Sequence, residues 1–209
     1  MSLPLSEPVV GRAALVQRGI RLSYATIAYN GFEAVVSLTA GVVAGSVALV
    51  GFGFDSVIEV TASGAAQWRL RSDMHHDQRE RAELWTMRIV GACFLVLALY
   101  VLVDAAQTLW QQRAPERSPL GIGILALSVI VMPLLARSKK KVARALTSSA
   151  LEAEAAQTSL CAYLSVIGLA GVALNAALGW WWADPVAALV MVPIIVKEGV
   201  EGVRARECC

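Results

Sequence analysis

Between Arg21 and Arg69 the chain carries no lysine or arginine, and no other feature constrains its fold as tightly. A helix rises about 1.5 Å per residue, so that stretch as one helix would run about 70 Å, more than twice a bilayer's hydrocarbon core of roughly 30 Å. It must fold back on itself. Its middle falls at Gly45-Ser46, where glycine makes a tight turn cheap because it accepts positive φ, and this predicts helices over 22–43 and 46–70. The interval from Arg144 to Lys197 repeats the pattern, interrupted by Gly179-Trp180-Trp181-Trp182-Ala183-Asp184-Pro185. The tryptophans suit a membrane interface, Asp184 an N-cap and Pro185 a first helical turn, which predicts helices over 148–178 and 184–202. Two single spans, 84–108 and 119–136, lie between the hairpins, separated by the polar turn from Gln111 to Arg117. With 57% of its residues hydrophobic, the chain reads as an all-α bundle of six transmembrane helices filling residues 22–202.

The charges set an orientation. Of 18 lysines and arginines, only Arg113 and Arg117 fall in the loop on one side, and the rest cluster at the opposite ends of the predicted helices. Under the positive-inside rule both termini are cytoplasmic, as in a bacterial inner membrane. Residues 1–21 lack the early apolar core of a signal peptide and read as an amphipathic lead-in at the membrane surface, and 203–209 as a short cytoplasmic tail. Lys139-Lys140-Lys141 reads as an anchor at anionic headgroups. No Gly-rich phosphate loop, no His-Glu-x-x-His and no plausible nucleophile triad occurs, so a membrane enzyme has little support. A nucleic-acid patch is also absent.

Polar groups at bilayer depth are expensive and therefore functional candidates. Asp55 lies about 15 Å down the second predicted helix, and Glu59, four residues on, shares its face. On the fifth, Glu154, Gln157 and Cys161 sit at i, i+3 and i+7. Carboxylate, amide and thiol donors on two helices are what a divalent cation needs, although paired acids equally serve proton relays or stand hydrated near a helix start. Asn30 and Glu33 either line the cytoplasmic approach or snorkel, and Asp104 reads as a hydrated helix end. Cys93 reads as packing, and His75, His76 and Asp77 as a solvated turn or a weak second metal site. Cys208-Cys209 could capture a thiophilic ion or carry a lipid.

The run from Gly45-Ser46-Val47-Ala48-Leu49 through Asp55 to Glu59 resembles the second-helix signature of the cation diffusion facilitator, or cation efflux, family. Ser149 to Cys161, Arg81-Ala82-Glu83, and Trp182-Ala183-Asp184-Pro185 through Glu198-Gly199 are similar to its fifth, third and sixth helices. The resemblance implies a homodimeric, proton-coupled exporter of divalent transition metals, usually zinc, working by alternating access. The metal is cargo, and no cofactor is implied. Carried over, the central site is Asp55, Glu59, Gln157 and Cys161, with Glu154 a further group for proton coupling. The chain departs from the family in having a neutral glutamine and a soft cysteine where His or Asp and then Asp are usual. It also has only a short tail where a soluble domain commonly follows, so it reads as a short form whose dimer would rest on small residues such as Gly91, Ala92, Gly121, Gly168 and Gly171. A non-transporting metal-binding subunit or sensor is the alternative.

Overall fold

The computed structural model describes residues 7–71, 76–146 and 149–204, with side chains omitted for 7–13, 65–71, 76–84, 86, 149–150 and 153. The described residues form six helices and no strand: α1 Glu7–Ala44, α2 Val47–Arg71, α3 His76–Trp110, α4 Pro119–Leu146, α5 Ser149–Leu178 and α6 Ala183–Val203. Among them five are long and apolar enough to cross a membrane, over Ala14–Ala44, Val47–Gly64, Met87–Trp110, Pro119–Leu146 and Glu154–Leu178. α6 has the length but carries Asp184, Lys197, Glu198 and Glu201 toward its ends. Its apolar middle packs along α3 and α5 as part of the same bundle.

Both predicted hairpin turns form where glycine permits them, with φ of 63° at Gly45 and 68° at Gly179. The helices outrun their predicted ends. The lead-in expected over 1–21 is, from Glu7 onward, one continuous helix with α1; α3 begins at His76 rather than 84, and α4 continues to Leu146 rather than 136. Loss of hydrophobicity marks where a helix leaves lipid, and the backbone hydrogen-bond ladder continues past that point.

α2 is the central element. Of its membrane-length window 61% is buried, against 33% for α3 and for α4, and it packs against α1, α3, α5 and α6. Leu49, Phe52, Val101, Leu125 and Met191 build an apolar core in the half of the bundle toward the Gly45 turn. Glycines bring backbones together inside the protomer. A Cβ on Gly91 of α3 would sit 2.6 Å from Val203 N and 2.7 Å from Gly199 O of α6, and one on Gly171 would sit 2.5 Å from the Ala187 side chain. Gly121 lies against Leu49 and Gly168 against Met191. Four of the small residues expected at a dimer face are thus consumed within the bundle, and Ala92 is exposed.

The end opposite the basic clusters is tied together by polar contacts. Ser46 caps α2, its Oγ accepting Leu49 N–H at 3.2 Å, and Ser118 caps α4 by accepting Gly121 N–H at 3.1 Å. Glu116 N–H donates to Ala44 O at 2.8 Å, satisfying the end of α1, and Asn175 Nδ2 donates to Pro115 O at 2.9 Å. The expected N-cap role of Asp184 on its own helix is corrected. Trp182 is the N-cap of α6, without a side-chain cap bond, while the Asp184 carboxylate reaches α2. There it accepts Ser46 Oγ–H at 2.5 Å and Val47 N–H at 2.9 Å. A buried carboxylate at the positive end of α2 joins the first hairpin to the second. Asp184→Ala leaves the Ser46 hydroxyl and the Val47 N–H unmatched, and should cost about 2–3 kcal/mol. Ser46→Ala should cost about 1 kcal/mol. Unfolding of the detergent-solubilised variants measures both.

Candidate metal site

Helical period places one polar row on each of three neighbouring helices. On α1, Thr26, Asn30, Glu33 and Ser37 recur at i, i+4, i+7 and i+11, all fully buried. On α2, Asp55, Ser56, Glu59 and Ser63 are buried at 4% exposure or less. On α5, Thr158, Cys161 and Ser165 are buried at 1% or less. α4 adds Ser128 and Lys139, both at 0%. The rows face one another in the middle of the bundle, below the apolar core.

Three acidic side chains come together there: Glu33, Asp55 and Glu59. Glu33 Oε2 accepts Ser56 Oγ–H at 2.8 Å and the Cys161 thiol at 3.6 Å. Cys161 also faces Asp55, so α2 and α5 do present their acidic and sulfur-bearing sides to each other. Glu59 Oε1 accepts Thr158 Oγ–H at 2.9 Å. The second oxygens, Glu33 Oε1, Asp55 Oδ2 and Glu59 Oε2, are buried and meet no hydrogen-bonding partner in the protein. Asn30 faces Glu59 with its own amide also unmatched. Buried polar atoms are rarely left so, and these five lie together on the facing sides of α1 and α2. Among the described residues no three His, Cys, Asp or Glu side chains are drawn tightly enough together to chelate one ion as they stand. The Ser56 and Thr158 hydroxyls hold two of the carboxylates instead, and a cation would have to displace them.

The sequence-predicted residues divide accordingly. Asp55, Glu59 and Cys161 come together. Gln157 is only half-buried, and the next residue, Thr158, is the one that faces α2. Glu33, expected on the approach, stands at the centre. Glu154 lies one turn nearer the basic end, its Oε2 accepting Ser23 Oγ–H at 2.8 Å. Lys139 is corrected outright: the expected headgroup anchor is fully buried, donating to Thr158 Oγ1 at 3.1 Å and standing 3.5 Å from Glu154 Oε2. Cys93, expected to pack, is exposed on α3. Asp104, expected at a hydrated end, is half-buried, accepts the Tyr100 hydroxyl at 3.3 Å and lines an open cleft of about 500 Å³ with Thr108 and Arg113. His75, Cys208 and Cys209 fall outside the described residues, as do the side chains of His76 and Asp77.

Long apolar helices around a buried cluster of acids define a multi-pass integral membrane protein. Residues 23–205 match the family of the cation efflux transmembrane domain, and the chain belongs to that family. It is similar to an uncharacterized transporter of Synechocystis sp., 27% identical over 79% of this chain and 56% of the relative. It is also similar to transmembrane protein 163 of Xenopus laevis, 27% identical over 65% of this chain and 48% of the relative. The chain therefore spans about half the length of the curated relatives it matches.

The orientation of α5 has a direct test. Thr158→Val should cost about 1–3 kcal/mol of stability by stranding the Lys139 and Glu59 groups, whereas Gln157→Ala should stay within about 0.5 kcal/mol of wild type. Unfolding midpoints of the two variants in one detergent make the comparison.

Proposed function

We propose that this protein is a secondary transporter that exports divalent transition-metal cations, zinc foremost, in exchange for protons. The observation that carries the reading is that Glu33, Asp55, Glu59 and Cys161 face one another inside the bundle, with three carboxylate oxygens unmatched. Family membership supports metal cation transport as the general activity. The cargo would be held by Asp55 and Glu59 from α2, Cys161 from α5 and Glu33 from α1, with Gln157 a peripheral donor at most. Carboxylate charge offsets that of the ion, and a thiolate tilts preference toward zinc and cadmium over manganese and magnesium.

Proton exchange follows from the donor set, because carboxylates and a thiol bind metal only after losing their protons. Protons entering from the far side compete for the same oxygens and sulfur and expel the metal there, and the neutralised site then returns. Export as a homodimer in a bacterial inner membrane, with both termini cytoplasmic, belongs to the same proposal and rests on the family resemblance and the basic bias of one bundle end. The non-transporting sensor remains the second reading, favoured by Lys139, a cation already stationed beside the acids.

Three measurements follow. In proteoliposomes, Asp55→Ala should lower zinc uptake at least tenfold, and uptake by wild type without proton counterflow would overturn the exchange. By titration calorimetry, Glu33→Gln should weaken zinc binding roughly tenfold, as expected for loss of one charged ligand, against less than threefold for Gln157→Ala. Binding should weaken as pH falls, because protons and metal compete for the same atoms.

A further inference from the structure

A single line of hydrogen bonds and one ion pair crosses the bundle on the basic side of the acid cluster, and four helices contribute to it. Ser23 of α1 donates to Glu154 of α5 at 2.8 Å, and Glu154 stands 3.5 Å from the ammonium of Lys139 of α4. Lys139 donates to Thr158 Oγ1 at 3.1 Å, and Thr158 donates to Glu59 Oε1 of α2 at 2.9 Å. The Thr158 hydroxyl has one hydrogen, which it shares between Glu59 and the Glu154 carbonyl, also at 2.9 Å. With the lysine occupying its lone pair, that hydrogen is directed to an acceptor. Burial of a lysine at 0% exposure is costly unless its charge is answered, and Glu154 with the nearby carboxylate cluster answers it.

We propose that Lys139 is a tethered cation that competes with the metal: through Thr158 it fixes Glu59 and offsets part of the cluster's negative charge, so an incoming metal must displace this line to bind. Lys139 is thereby a positioning residue that sets metal affinity from outside the ligand set. This inference rests on the reading of Asp55, Glu59 and Cys161 as metal ligands. A fixed positive charge within one turn of a divalent cation repels it, and the carboxylate it engages is one the metal needs. Removing the charge therefore tightens metal binding, the opposite of what loss of a merely structural residue does. The same line also joins α1, α2, α4 and α5 on the basic side of the cluster, and a metal that breaks it loosens that connection.

The test is calorimetric titration of the detergent-solubilised full chain with zinc and with cadmium ions alone. Lys139→Met, which keeps most of the side chain's length without its charge, should bind both ions roughly tenfold more tightly than wild type. Lys139→Arg should restore most of the wild-type affinity. Unchanged or weaker binding by a folded Lys139→Met protein overturns the proposal. Thr158→Val cuts the line without removing the charge, so it decides the matter if Lys139→Met does not fold: a few-fold tightening supports the proposal, and none overturns it. Asp55→Asn separates the two readings. If it leaves affinity untouched, the ligand site itself is wrong; if it weakens binding while Lys139→Met fails to tighten it, only the role of Lys139 falls.

Discussion

Burial of three carboxyl groups in the interior of a membrane bundle is the constraint on which the rest of this structure depends. Glu33, Asp55 and Glu59 lie at 4% exposure or less, side by side and with half of their oxygens unmatched. No hydrophobic gain repays that arrangement, because lipid tails are as apolar as the side chains that surround it. The fold holds the cluster in place with hydroxyls and one lysine, and with glycine contacts that lock α3 to α6 and α5 to α6 around it. A bundle without a polar guest would be more stable with leucine at each of these positions. Their presence in so apolar a chain is itself an argument for a guest with positive charge.

Much of the architecture was legible because the physics of crossing a bilayer is legible. A stretch without basic residues, too long for one span, forces a hairpin, and glycine at its midpoint supplies the turn; Gly45 and Gly179 both adopt the required positive φ. Helix ends were not legible, since α1, α3 and α4 continue through charged residues that the membrane boundary, and not the helix, excludes. Asp184 was misplaced for a related reason. A local N-cap rule sees the residue before a proline, whereas the carboxylate is used by the start of α2, more than a hundred residues away in sequence.

The candidate site was half legible. Spacing of four residues put Asp55 and Glu59 on one face, and the same face of α5 does carry Cys161. The rotation of α5 is what spacing alone leaves open. Counting Glu154, Gln157 and Cys161 at i, i+3 and i+7 fits a helical face, but Glu154, Thr158, Cys161 and Ser165 fit it as well, and threonine lacks the look of a ligand. The row Thr26, Asn30, Glu33 and Ser37 was available to the same counting and would have placed Glu33 in the centre. Lys139 could not have been separated from Lys140 and Lys141 by composition. Only the phase of α4, with Val142 and Ala143 buried beside it and Lys140 and Lys141 exposed, turns one lysine of the three inward.

The cluster is closed on both sides by opposite means, and this bears on how a transport cycle could run. Toward the Gly45 turn it is covered by Leu49, Phe52, Leu125 and Met191, all buried at 1% exposure or less. Toward the basic end it is covered by the polar line through Ser23, Glu154, Lys139 and Thr158. An apolar plug has no preference among ions and opens only when helices separate, which for α2 means breaking the Ser46 and Val47 contacts to Asp184 or carrying α6 along with it. A polar line is different, since a cation that satisfies Glu59 and Glu154 better than Lys139 does can break it from within. Under the proposed function the two closures are therefore unequal. The cargo itself can trade for the contacts on the basic side, while the far side yields only to a rearrangement of helices, and a cycle that opens one while the other holds needs that difference in kind.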